Sequence, residues 1–377
     1  MKKKIIIVGS GIAGLTLANI LKKNTNYEFV IYEKNNSLNL DEGYGIQLSV
    51  NSVSILNELG FNKLNKKEKY HPSKLDFYKI TNQKICELDL TTFNNKENKY
   101  TTLKRSSLIK FLRDELFSNS IKFGKKIKEV KQVDKKIFIK FEDDSFDEAD
   151  YLVISDGVYS KTRSLIEKNK IKSNYYGSVA IRTILNTDEI LSFDPKNISL
   201  IMAANAHIVL YPVNDQKEIN LVCIVRKKLK TNESINEILK KTILKENKNL
   251  INLLQGNLIS WPIYVSKKPV KSSYQNIFYI GDAFYTFPPS MAQGASQSIE
   301  SANELFNLID ENKDNIQFEY FKNRSKRTKQ IKFRSNFNYF VFHLSNPILR
   351  IIRNLVIKFI IKNKNFREIY LGKVFRK

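Results

Sequence analysis

The chain runs to 377 residues, with 63 Lys and Arg against 38 Asp and Glu, a formal net charge of +25. That length holds one large core or two domains sharing an interface. The lysines are spread rather than clustered and no nucleic-acid-binding motif accompanies them, so no nucleic-acid partner is expected, while an anionic membrane or substrate stays open. Cys86 and Cys223 stand far apart and His71, His207 and His343 share no ligand spacing, which excludes a disulfide framework, a CxxC site and a metal site and fits reduced thiols in the cytoplasm.

The N-terminus, MKKKIIIVGSGIAGLTLANILKK, has the basic start and apolar run of a signal peptide but no small-x-small cleavage site. Lys4–Val8 reads instead as a central parallel strand. It feeds Gly9-Ser10-Gly11-Ile12-Ala13-Gly14, and Leu15–Leu21 continues as helix. Gly9 permits a tight turn, and Gly11 lets the N–H groups of the loop, Ile12 and Ala13 among them, approach a pyrophosphate. Gly14 lets the helix pack on the strand. A second strand, Glu28–Tyr32, ends at Glu33-Lys34, about 20 residues on, where an acidic group accepts hydrogen bonds from a ribose. Glutamate there favours an unphosphorylated ribose, so the site suits FAD or NAD rather than NADP.

Three later segments decide between those two. Gly43-Tyr44-Gly45-Ile46-Gln47 forms a glycine-bearing loop ahead of a helix over Ser52–Leu59. Tyr151–Ile154 is a buried strand ending in Ser155-Asp156-Gly157. Ile277–Ile280 is another, running straight into Gly281-Asp282, then Pro288-Pro289 and a helix opened by Gln293-Gly294-Ala295. A simple NAD-dependent dehydrogenase has no use for a second acidic strand end so late in the chain, whereas extended FAD does. Beyond these, Ile348–Lys362 has wide apolar coverage with cations at Arg350, Arg353, Lys358 and Lys362, started by Pro347. It reads either as a helix packed on the FAD domain or as an interfacial basic helix on anionic lipid.

The motifs in this order resemble the single-component FAD-dependent aromatic monooxygenases, the para-hydroxybenzoate hydroxylase-like fold, nearest the salicylate-hydroxylase-like branch. The likeness runs over residues 4–310. It is carried by GSGIAGLTLANIL with Glu33-Lys34, by GYGIQLSVNSVSILNELG with Gly45 and Gln47, and by Leu103–Leu108 with Arg105. Asp156-Gly157, the Tyr211-Pro212 strand and GDAFYTFPPSMAQG complete it.

The resemblance implies an α/β fold: a Rossmann-type FAD-binding domain (1–70, 100–170 and 270–310) interleaved with a β-sheet substrate domain (71–99 and 171–269), plus a C-terminal helical region (311–377). It implies that Arg105 and Asp156 contact FAD, Gly281-Asp282 the ribityl chain, and the helix at Gly294-Ala295 the flavin pyrimidine. Pro289 then covers the isoalloxazine face, and Tyr211 and Arg182 meet the substrate. The implied reaction reduces FAD with NADH or NADPH, adds O₂ to give a flavin hydroperoxide, and passes one oxygen to an aromatic or quinone-precursor ring. No second GxGxxG is present, so the nicotinamide donor is expected to bind transiently.

Other readings stay open: a flavin reductase of isoprenoid double bonds, and a non-catalytic flavoprotein that binds membranes or partners. A cytoplasmic monomer or homodimer is expected, with peripheral contact at the inner face of the membrane as the second reading. Relatives usually carry Gly-Asp-Ala-x-His, and Tyr285 stands where the histidine does.

Overall fold

The computed structural model of the protein describes residues 2–38, 40, 44–168, 173–190, 192–228, 233–254 and 257–376. Gly43 of the loop read above lies outside them.

Five parallel strands, in the order β18-β12-β1-β2-β8, form one sheet: β1 (Lys3–Val8), β2 (Tyr27–Tyr32), β8 (Ile121–Lys122), β12 (Tyr151–Ile154) and β18 (Ile277–Tyr279). Ile5, Ile6 and Ile7 are fully buried, as continuous apolar runs must be in a parallel sheet covered on both faces. The register sets Ile7 beside Ile31 on one side and Val153 on the other. All the strands therefore end at one edge, where the glycine loop, Asp156 and Asp282 converge.

Helix α1 (Ile12–Lys22) covers this sheet and is buried from Ala13 to Leu21. Helix α6 (Gly294–Asp310) packs on α1, with Ser298, Ser301 and Ala302 among its buried residues. Between them in sequence come α2 (Val50–Glu58), α3 (Arg105–Asp114), α4 (Lys161–Ile166) and the short α5 (Ile235–Leu239). The helix read over Ser52–Leu59 thus starts and ends slightly earlier.

A second, seven-stranded sheet has the order β17-β13-β16-β15-β14-β5-β6. Its strands are β5 (Lys74–Lys79), β6 (Lys84–Asp89), β13 (Ser173–Asn186), β14 (Ile198–Ala203), β15 (Ala206–Val213), β16 (Glu218–Arg226) and β17 (Ile259–Ser266). Only the β5–β14 pairing is parallel, because the chain leaves for the first sheet after β6 and returns through β13. Two three-stranded sheets complete the β-structure: β3 (Gly45–Leu48), β4 (Lys69–Tyr70) and β7 (Thr101–Lys104), and β9 (Ile127–Val133), β10 (Lys136–Phe141) and β11 (Phe146–Ala149).

The C-terminal region is helical: α7 (Ile316–Phe342), α8 (Pro347–Ile360), α9 (Lys364–Arg367) and α10 (Lys373–Phe375). Helix α7 straddles both large sheets. Tyr320 donates to the Tyr279 carbonyl (3.0 Å) in the first, while Tyr176 of the second donates to Asn336 (2.9 Å). At α8 the Asn346 side chain accepts from Ile348 and Leu349 N–H groups, and Pro347 occupies the first turn as read. The expected seat on the FAD domain is corrected for this helix. It packs on β6, the edge of the seven-stranded sheet, and Arg350 pairs with Glu246 at 2.6 Å. A buried ion cluster fixes the end of the chain: Arg327 holds Glu300 of α6 at 2.8 Å and donates to the carbonyls of Lys373 and Val374.

Candidate active site

Where the strand ends of the first sheet meet the second sheet, a cavity of about 1000 Å³ opens. Its first wall is polar backbone. Gly11, Ile12 and Ala13 line it from the β1–α1 loop, Gly157 from the end of β12, and Asp282 from the end of β18. Gly294 and Ala295 bring the N-terminus of the 17-residue α6 to the same wall. No acidic side chain neutralises that first turn, so its N–H groups offer partial positive charge to the cavity.

The glycines separate by role. Gly9 has φ +99°, and Cβ atoms at Gly9 and Gly14 would meet Asp156 Cα at 2.9 Å and the Gly9 carbonyl oxygen at 2.2 Å. Both are demanded by packing. A Cβ at Gly11 or at Gly294 meets nothing within 4 Å, which is room kept for a ligand. Gly45 lines the cavity, and a Cβ there would strike Tyr211 at 2.6 Å and Asn220 at 2.7 Å, so close approach of β3 to β15 and β16 also requires the glycine.

Among the acidic candidates, Asp282 faces the cavity, and burial in the surrounding protein lifts its carboxyl to about 6 against the opposing pull of Arg105. Asp282 is exposed only in the sense that its surface looks into this space. Arg105, at the start of α3, lines the same wall with Gln47. Gln47 accepts the Tyr100 hydroxyl at 2.7 Å. Glu33, Lys34, Asp156 and Gly281 stand behind the wall rather than in it. Glu33 is buried and accepts from Ser10 N–H (2.9 Å), Ser10 Oγ (2.7 Å) and Asn35 N–H (3.0 Å), tying β2 to the glycine loop. Lys34 is exposed beside it. Asp156 accepts from Thr162 N–H at the start of α4, and burial raises its carboxyl. Gly281 has φ +57° and bonds Ser301 through its N–H.

The opposite wall follows from strand alternation. On β15, His207, Val209 and Tyr211 face the cavity while Ile208 and Leu210 enter the core behind the sheet. On β16, Val222 and Ile224 face in, and on β13, Ala180 and Arg182 do. Tyr211 is buried and its phenol is held protonated well above the usual range by that burial. The Arg182 guanidinium lies 5.6 Å from the Trp261 ring centre and 6.0 Å from that of Tyr44, and the two rings meet edge to face at 5.1 Å. Pro289 lines the cavity with Pro288 and Met291.

Sequence reasoning missed Tyr44, Tyr100 and Trp261, although the chain's single tryptophan followed by proline was a usable signal. It also left His207 without a partner, and the structure supplies one: His207 Nδ1 lies 2.7 Å from His343 Nε2 at the end of α7. Burial drives both imidazoles down, to about 3 and about 2. Tyr285, by contrast, turns away from the cavity. It is buried in the core of the first sheet, packed on Phe287 at 5.4 Å with Lys332 over its ring.

The profile of a family described as "FAD binding domain" matches residues 2–314. The chain belongs to this family. Curated relatives over most of its length are monooxygenases. The 3-amino-4-hydroxybenzoate 2-monooxygenase of Streptomyces cremeus is 22% identical over 318 residues, 81% of this chain and 78% of that protein. The 6-hydroxynicotinate 3-monooxygenase of Pseudomonas fluorescens is 23% identical over 351 residues, 87% of this chain and 89% of that protein. Among solved structures, Klebsiella pneumoniae HpxO complexed with FAD and uric acid superposes with TM-score 0.84 at 17% identity, covering 99% of this chain and 96% of that one. A salicylate hydroxylase substrate complex gives 0.77 at 17% identity, covering 98% of each chain. The protein is thus an FAD-dependent monooxygenase with the fold of that group, and nothing favours the reductase reading.

Proposed function

We propose that this monooxygenase hydroxylates an aromatic or quinone-precursor ring, using NADH or NADPH and O₂. The observation that carries it is a cavity in which a wall of backbone N–H groups faces an apolar, arginine-bearing wall. The first wall fits FAD: open space at Gly11 and Gly294, a helix N-terminus, and a cavity-facing carboxylate at Asp282. In this reading the N–H groups from Gly11 to Ala13 take the pyrophosphate, with Gly9 and Gly14 shaping their loop. Glu33, with Lys34 beside it, serves the adenosine ribose through its remaining lone pairs. Arg105, Gln47 and Gly45 flank the cofactor, and Asp156 braces the Gly157 turn. Gly281 positions Asp282 for the ribityl hydroxyls. Bound FAD supplies electron transfer and oxygen activation; the chain binds, orients and keeps water out.

The substrate ring lies against Val209, Val222 and Leu200. Tyr211, protonated at all working pH values, donates a hydrogen bond to a ring oxygen. Arg182, held by Trp261 and Tyr44, pairs with an anionic ring substituent such as a carboxylate or phenolate. Pro289 closes the cavity without offering a proton donor. The FAD-binding part is residues 1–70, 100–170 and 270–310, the substrate part 71–99 and 171–269, and the remainder caps both. We extend the reading to peripheral contact between α8 and anionic lipid.

The test is a screen of phenols and aromatic acids for stimulated NADH or NADPH oxidation with incorporation of oxygen from O₂. Arg182→Leu should raise KM for anionic rings about tenfold, as the loss of one charge-assisted pair implies, with flavin content unchanged. A yellow protein that no ring stimulates, or a product whose new oxygen derives from water, would sink the proposal.

A further inference from the structure

Helix α8 turns a broad apolar face toward water. Its protein-facing side carries Ile357 and Ile360 together with Arg350, Arg353 and Asn354, with Arg353 buried and donating to the Val341 carbonyl. Its outward side presents Ile348, Ile351, Leu355 and Phe359 at 68%, 62%, 54% and 73% exposure. A surface helix of a soluble domain turns such a row of apolar residues inward. On α7, Phe333, Phe337 and Phe340 repeat at helical spacing and are also exposed. Contiguous apolar surface of this kind marks a site of contact with something apolar.

Three further observations say with what. From Pro347 to the C-terminus there are nine Lys and Arg and a single acidic residue, Glu368, and Lys358, Lys362 and Lys364 are exposed alongside the apolar face. That charge complements an anionic lipid headgroup layer. No helix among the described residues is long and apolar enough to cross a membrane, so α8 with its 14 residues has the form of a helix that lies in the interface. Finally, the cavity opens here. Leu349, Ile352 and Val356 of α8 and Phe337 and Phe340 of α7 are at once exposed and part of the lining that reaches Asp282 and Gly294.

We infer that α8 and the cavity mouth sit in an anionic lipid leaflet, and that the substrate is an amphiphile, a ring bearing a long apolar chain, drawn ring-first from that leaflet. The ring chemistry rests on the hydroxylase reading above; the lipid contact does not.

The experiment uses the full-length, FAD-loaded protein and vesicles of phosphatidylcholine, with and without an equal share of phosphatidylglycerol. Wild type should float with the mixed vesicles and more weakly with phosphatidylcholine alone. The double variant Ile351→Asp, Leu355→Asp alters outward residues that do not line the cavity, and should partition about tenfold less or weaker still. For an alkyl-chain phenol embedded in the mixed vesicles, the variant should lose kcat/KM by a similar factor. For the same phenol without its chain, in solution, kcat/KM should not change.

The inference is overturned if wild type does not float, or if the variant loses equal activity on both phenols. It is also overturned if wild type is a dimer that the variant turns into a monomer without affecting flotation, since the face then joins two copies. Flotation without turnover of any ring would leave the lipid contact standing and bring down the hydroxylase reading and the substrate class together.

Discussion

Two alanine substitutions three residues apart should separate the fold from its ligand. At Gly14 the new methyl would lie 2.2 Å from the Gly9 carbonyl oxygen and 2.6 Å from Ser155 Oγ. Ordinary C···O contact is about 3.3 Å, so α1 must retreat by about 1 Å from strands it covers over its whole length. Overpacking of that kind costs about 1–3 kcal/mol, and here the upper end applies because the first obstacle is backbone rather than a flexible side chain. At Gly11 the methyl meets nothing within 4 Å and the backbone is extended, so the apoprotein should lose less than about 0.5 kcal/mol. The ligand should feel it instead: a methyl in the pyrophosphate space should weaken FAD by about tenfold or more, 1.4 kcal/mol. Urea unfolding of the apoproteins reads the first effect, and fluorescence titration with FAD reads the second. Equal loss of stability in both variants, or Gly11→Ala binding FAD like wild type, would refute the division of roles.

Three further outcomes follow from the same geometry. Arg327→Met should destabilise by about 3–5 kcal/mol in urea unfolding, because it leaves Glu300 short of its bidentate partner and frees the carbonyls of Lys373 and Val374; a loss near zero would show that Arg324 alone satisfies Glu300. FAD affinity should fall as pH drops through about 6, since ribityl hydroxyls bond best to the ionised Asp282, and Asp282→Asn should flatten that dependence in a pH series of titrations. For the His207–His343 pair the folded values lie below the unfolded 6.5. Stability is therefore intact above about pH 6.5 and lost progressively as pH falls toward about 3, by up to about 1.4 kcal/mol per unit for each ring; His207→Phe with His343→Phe should remove that slope from the acid unfolding curve.

The sequence by itself determined the phosphate-binding end of this protein. A β-branched strand, a turn at φ +99° open only to glycine, and a helix that must approach without a Cβ are local demands, written in consecutive residues from Lys4 to Gly14. The same holds for Gly281-Asp282 and for the glycine that opens α6. What only the tertiary structure decided depends on which face meets which neighbour. Alternation told that β15 has two faces, but not that Tyr211 takes the cavity and Leu210 the core. The Arg182, Tyr44 and Trp261 group brings three segments far apart in the chain to within 5–6 Å of one another. Tyr285 sits in a motif that the sequence ties to the flavin, and only the fold shows it buried in the core of the first sheet rather than in the cavity lining. Helix α8 is the sharpest case. Its pattern of isoleucines and arginines predicted an amphipathic helix, yet periodicity is blind to inside and outside, and the packing alone set Arg353 and Ile357 inward and Ile351, Leu355 and Phe359 outward.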